Sequence, residues 1–155
     1  MAPAFSDYLS SIKAAIREIG AVELAARMKA PKPPLLLDIR EPEELDNGII
    51  PGSTPVPRGY LELRIEGLAP DRATPIVVTC AGGTRSALAV SALSALGYTA
   101  VESLAGGVGG WTKAGLTLDH PRRLTREQKS RYARQMILPQ LDGGMDAPKA
   151  QEARK

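Results

Sequence analysis

Pro75-Ile76-Val77-Val78-Thr79-Cys80-Ala81-Gly82-Gly83-Thr84-Arg85-Ser86 leads from the clearest strand of this 155-residue sequence into its clearest helix. Residues 75–79 open on a proline and continue with β-branched side chains, the pattern of a strand buried on both faces. Residues 84–96 follow with helical spacing, and Gly97 closes them. A strand that feeds a helix through a short turn is half of a parallel crossover unit, and in such sheets ligands gather at the carboxyl ends of the strands. Cys80, the only cysteine in the chain, stands at that edge. Gly82 and Gly83 let the backbone curl around its sulfur. Amides that lead into a helix N-terminus favour negative charge and so stabilise a thiolate, the nucleophilic form. Arg85 adds a fixed positive charge. Cys80 and Arg85 are therefore the catalytic candidates, and Ala81, Gly82, Gly83, Thr84 and Ser86 the candidate cradle for a substrate. A lone cysteine also suits a core as a small apolar residue, but a core position needs neither a Gly-Gly turn nor a neighbouring arginine.

Working outward, Leu35-Leu36-Leu37-Asp38-Ile39 reads as a second buried strand, ended by Arg40, Glu41 and Pro42. Residues 42–46 resemble the first turn of a helix. Residues 48–57, with three prolines, can form only a loop or an edge segment. Helical spacing returns at Leu61, Ile65 and Leu68, and residues 100–104 suit another strand. The run Gly106-Gly107-Val108-Gly109-Gly110-Trp111 is assigned to turn and packing roles, because it lacks the third glycine and the following helix of a dinucleotide fingerprint. Near the N-terminus, Ser6 caps a helix with Leu9, Ile12, Ile16 and Ile19 on one face, with a short strand over 16–19 as the alternative. Val22, Leu24, Ala25 and Met28 suit a second helix, ended by Pro31, Pro33 and Pro34. The expected organisation is a helical segment over 1–30, an α/β domain over 31–120 and a basic helical tail over 121–155.

Composition narrows the function. Residues 121–155 carry a net charge of +5 and the remainder −2, so the overall +3 belongs to the tail. A near-neutral body without a zinc-finger cysteine pattern, an aromatic-glycine signature or a basic stripe argues against nucleic-acid binding. The longest uncharged stretch, 86–101, has 16 residues diluted by Ser, Thr and Gly. A spanning helix needs roughly 18 or more apolar ones, so no membrane partner is expected. With no leader-like N-terminus and no cysteine pair, the expected compartment is the cytoplasm. No metal and no cofactor is called for.

Four stretches in order resemble the rhodanese-like sulfurtransferases over about residues 35–118. Leu37-Asp38-Ile39-Arg40-Glu41-Pro42-Glu43-Glu44 looks like that family's first signature, and Ile50-Pro51-Gly52-Ser53 follows at its distance. Ile76 to Cys80 with Gly83, Arg85 and Ser86 is similar to the active-site loop, and Leu104-Ala105-Gly106-Gly107 with Trp111 to the closing motif. The resemblance implies a parallel five-stranded sheet flanked by helices and a persulfide intermediate on Cys80. Cysteine-dependent phosphatases on this fold place five residues between cysteine and arginine, to enclose a phosphate. Here there are four, a cradle better suited to one sulfur atom. Many relatives have a histidine and a basic residue where this chain has Ile49 and Ala81, a lower cationic density that counts against thiosulfate as the best donor.

These observations predict a sulfurtransferase in which Cys80 takes sulfane sulfur from a small donor, thiosulfate or a persulfide, and passes it to an outside acceptor. Arg85 either steadies an anionic donor or braces the loop against a carboxylate, with Asp38 as the expected partner. Asp38 and Arg40 are assigned structural support. Arg58, with Arg64 beside it, is a candidate for binding an anionic donor, and His120 falls beyond the last motif. The tail stretch 124–139, containing Arg131 and Arg134, resembles the opening of the adenylyltransferases that activate sulfur-carrier proteins for molybdopterin and thiamin synthesis. It stops short of their ATP-binding loop. That resemblance implies a sulfur-carrier protein or its adenylyltransferase as partner. The alternative is a non-catalytic rhodanese-like module that only docks a protein.

Overall fold

The computed structural model describes residues 2–120. Five short strands form one sheet: β1 Arg17–Ile19, β2 Leu35–Asp38, β3 Thr54–Pro55, β4 Ile76–Thr79 and β5 Val101–Leu104. Their order is β1-β5-β4-β2-β3 and every pairing is parallel. The connecting helices are α1 Phe5–Ala15, α2 Ala21–Met28, α3 Leu61–Leu68, α4 Thr84–Ala95 and α5 Gly107–Lys113. This is the flanked parallel five-stranded sheet that the family resemblance implied.

Alternation along the strands builds two cores. Leu37, Ile39, Ile76, Val78, Cys80 and Val101 pack on one face with Leu61 and Ile65 of α3 and Ala89, Val90 and Leu93 of α4. Leu36, Val77, Ile19 and Leu104 turn to the other face, against Leu24 of α2 and Val108 and Trp111 of α5. The apolar runs read at 35–39 and 75–79 are continuous because both of their faces are covered. From β2 the chain steps outward to β3, and from β4 it steps the opposite way to β5. The carboxyl ends of β2 and β4 thus flank a switch point, where diverging loops leave a crevice.

Several local expectations change. The first helix starts at Phe5, after an extended Ala4 and with no side-chain cap, so Ser6 lies inside it. Asp7 in its first turn complements the exposed amides there. The helix ends at Ala15, and the strand alternative holds for Arg17–Ile19, where Ile19 gains burial against β5 that a longer exposed helix would not offer. The segment 1–30 therefore contributes an edge strand to the sheet. Pro42–Asn47 is a 3-10 helix that stops at Gly48, and the glycine run at 107–110 is the first half of a true helix, α5. The tail 121–155 and its adenylyltransferase resemblance lie outside the described residues.

Candidate active site

Cys80 follows β4 directly and keeps that strand's alternation, so its side chain points toward α4 and is only 1 % exposed. It is nevertheless not a plain core cysteine. The Gly83 N–H donates to Sγ at 3.1 Å and the Ser86 N–H at 3.3 Å, while the thiol lies 3.5 Å from Ser86 Oγ. Gly83 makes the turn possible: its φ is +101°, a left-handed conformation that side chains disfavour. Burial pushes the Cys80 thiol up, but the Ser86 hydroxyl and the amides of Ser86, Gly83 and Gly82 outweigh it and hold the thiol below its ordinary value. Ala81, Gly82 and Thr84 form an exposed rim beside the sulfur's loop, with Arg85 half-buried.

The closing glycine motif shapes this loop from outside. Val108 N–H donates to the Cys80 carbonyl at 2.8 Å and Gly109 N–H to that of Ala81 at 3.0 Å. Tying both carbonyls to α5 leaves the loop amides free to face the sulfur. Gly107, at φ +59°, permits the approach, since a Cβ there would overlap the Cys80 carbonyl oxygen and sit 2.7 Å from that of Ala81.

Arg85 braces the loop, but not through the expected partner. Its Nη1 and Nη2 donate to the two carboxylate oxygens of Glu44 at 2.8 and 3.0 Å. This bidentate pair bridges the loops after β2 and β4 across the crevice. The Arg85 guanidinium holds the Glu44 carboxyl at about 2, and the Glu41 N–H adds a hydrogen bond at 2.8 Å. Asp38 is engaged elsewhere. Two residues apart on extended backbone, Asp38 and Arg40 share a side, and Arg40 folds back onto the carboxylate with Nη2 at 2.8 Å and Nε at 3.0 Å. The same guanidinium donates to the carbonyls of Glu44 and Gly48, fixing the 3-10 helix that carries Glu44. Both residues of this pair are buried.

Arg58 Nη1 donates to Glu62 of α3 at 2.7 Å, so this candidate anion ligand already has a carboxylate partner. Arg64 keeps a buried Nε without a hydrogen-bond partner, and burial draws its pKa down. Sequence reasoning missed Glu44, the clamp formed by Val108 and Gly109, and Ser103, whose hydroxyl is 2.8 Å from Ser86 Oγ. Glu44 lies in the first signature and Gly107 in the closing motif, though the sequence assigns neither this role, while Ser103 is one of two polar residues in β5, beside Glu102, and carries no distinct signal. A recess of about 520 Å³, lined by Met28, Pro33, Pro34, Leu36 and Trp111 among others, opens beside the amino-terminal end of β2, away from the sulfur. Among the described residues no cluster of acidic, histidine or cysteine side chains could hold a metal, and no helix is long and apolar enough to cross a membrane.

The family model of the rhodanese-like domain matches residues 20–114. The chain belongs to the rhodanese-like domain family. A sulfurtransferase of Allochromatium vinosum is 33% identical over 106 residues, 68% of this chain and 97% of that protein. Among solved structures, a thiosulfate sulfurtransferase of Pseudomonas aeruginosa superposes with a TM-score of 0.68 at 32% identity, over 83% of this chain and 26% of its own length. A Rhodopseudomonas palustris protein described as a possible tyrosine phosphatase gives 0.69 at 28% identity, over 77% and 96% of the two chains.

Proposed function

We propose that this rhodanese-like protein is a sulfurtransferase that carries sulfane sulfur on Cys80. The convergence of two amides and one hydroxyl on a single buried sulfur carries the reading. The Cys80 thiolate attacks the outer sulfur of the donor, and the donor's S–S bond breaks with its electron pair leaving on the departing group, sulfite in the case of thiosulfate. The Cys80 persulfide that results bears its charge on the outer sulfur, where amides of the loop and of the first turn of α4 stabilise it. A thiophilic acceptor then takes that sulfur and restores the thiolate. Because these 155 residues hold no second cysteine, no disulfide within them competes and the acceptor lies outside this segment.

Thiosulfate and cyanide given to the purified protein are expected to yield thiocyanate, and Cys80→Ser to yield none. A mass one sulfur heavier, removed by a reductant and absent from Cys80→Ser, is the direct readout. Identical behaviour of wild type and variant with every sulfane donor would leave only a docking module. The Rhodopseudomonas neighbour raises phosphoryl transfer as a second reading. Against it stands the loop with four residues between Cys80 and Arg85, the latter already paired with Glu44. Turnover of an aryl phosphate that depends on Cys80, without sulfur loading, would replace our reading.

For the acceptor we propose a sulfur-carrier protein whose activated C-terminus becomes a thiocarboxylate, in a reducing cytoplasm that keeps a lone thiol free. The support is the resemblance of residues 124–139 to the carrier-activating adenylyltransferases. Incubating persulfidated protein with an adenylated carrier is expected to add one sulfur to the carrier; no gain would confine the function to generic sulfur transfer.

A further inference from the structure

Behind Cys80 lies a second hydroxyl that the mechanism above does not use. Ser103 belongs to β5, is fully buried, and sits 2.8 Å from Ser86 Oγ, which is itself 3.5 Å from Cys80 Sγ. Ser103 shares the strand face of Val101, the face that looks onto α4. Sulfur, Ser86 and Ser103 thus form a buried line that runs from the loop into the sheet. A hydroxyl is both donor and acceptor, so such a line can run in either direction. When the sulfur is a thiol, its S–H donates to Ser86 Oγ, and the Ser86 O–H donates to Ser103 Oγ. When the sulfur is a thiolate, the Ser103 O–H donates to Ser86 Oγ and the Ser86 O–H turns to the sulfur. The two hydroxyl protons rotate without changing owner, and the one proton lost by the thiol passes to solvent.

We propose that Ser103 is a positioning residue for Cys80, acting through Ser86 as a two-hydroxyl relay that reverses direction as the sulfur passes between its neutral and anionic forms. The proposal rests on the persulfide reading for its purpose, since each turnover begins and ends at the thiolate. Without Ser103, a Ser86 hydroxyl turned to the thiolate would lose its own donor, and one turned to Ser103 would lose its acceptor. Either loss disfavours the paired state. The charged groups around the sulfur lie on other elements: Arg85 on α4, Glu44 and Glu41 at the 3-10 helix, and the Asp38–Arg40 pair at the end of β2. None of these is touched by changing Ser103.

The test is the pH dependence of iodoacetamide alkylation, followed by intact mass, which reports Cys80 alone because the chain has no other cysteine. Ser103→Val and Ser103→Thr have nearly the same shape and differ in the hydroxyl. Ser103→Val loses a hydrogen bond in either state, but the bond that feeds the anionic line is charge-assisted and the stronger of the two, so the alkylation midpoint is expected to rise by roughly 0.5–1 pH unit. Ser103→Thr should keep the wild-type midpoint, and all three rates should converge at high pH. Ser86→Ala should shift at least as far as Ser103→Val. A wild-type midpoint in Ser103→Val, or equal shifts in the Val and Thr variants, overturns the relay. Alkylation needs no sulfur donor or acceptor, so failure of the relay and failure of the transferase reading register in separate assays.

Discussion

Arg85 and Glu44 set the electrostatics of the sulfur's surroundings at the scale of single residues. Their side chains are 38% and 33% exposed, so solvent screens the pair and it contributes about 0.5–1 kcal/mol. The Glu44 carboxyl is held at about 2, below its ordinary 4.5, so its contribution is complete above pH 4.5 and lost as pH falls through about 2. Urea unfolding should show Glu44→Gln less stable than wild type at pH 7, with the difference vanishing near pH 2. A constant difference across that range would remove the ion pair as its cause. Arg85 is paired with Glu44 and Arg58 with Glu62, so each guanidinium already faces a carboxylate that a dianionic donor would have to displace or share. A small persulfide, with at most one negative charge on its sulfur, is expected to load Cys80 faster than thiosulfate at equal concentration. Faster loading by thiosulfate would mean that Arg85 leaves Glu44 during the reaction.

At the scale of elements, the loop is gripped by two neighbours that the chain supplies from far away in sequence. The N-terminus of α5 holds the carbonyls of Cys80 and Ala81, and this contact works only without a Cβ at residue 107. Gly107→Ala should destabilise the fold by roughly 1–3 kcal/mol through overpacking. It should also lower the sulfur-loading rate even under conditions where the variant is folded, because the displaced carbonyls misalign the amides. Normal loading kinetics in a folded Gly107→Ala variant would count against the clamp. On the other side, Arg40 ties the end of β2 to the middle and the C-terminal end of the 3-10 helix that carries Glu44. Removing its buried partner with Asp38→Ala strands a charge and should cost about 3–5 kcal/mol, visible in denaturant unfolding.

The whole molecule decides where the sulfur can be reached. Five parallel strands with a reversal between β2 and β4 put the Cys80 loop at a crevice, and both sheet faces are closed by helices. The edge strand β1 protects β5 on one side. Deleting residues 1–19 would expose the unpaired backbone of β5 together with Leu104, and the shortened chain should aggregate or lose its cooperative melt. A monomeric, cooperatively unfolding deletion variant would show that the sheet closes without β1.

The strands, the crossover helices and the thiol at a strand's carboxyl end were legible in the sequence because local periodicity and glycine placement act over a few residues. Cys80, Gly83 and Ser86 are neighbours along the chain, so their loop could be read from one stretch. Glu44 could not be chosen over Asp38, since one acid ends β2, the other follows it, and only the packed loop shows which one faces Arg85. The strand over 17–19 stood only as an alternative to helix, and burial against β5 decided it. Ser103 and the Gly107 clamp meet the sulfur's loop through pairings 17 or more residues apart in sequence. Local propensity carries no information at that range; the sheet register and the turn into α5 bring those groups together.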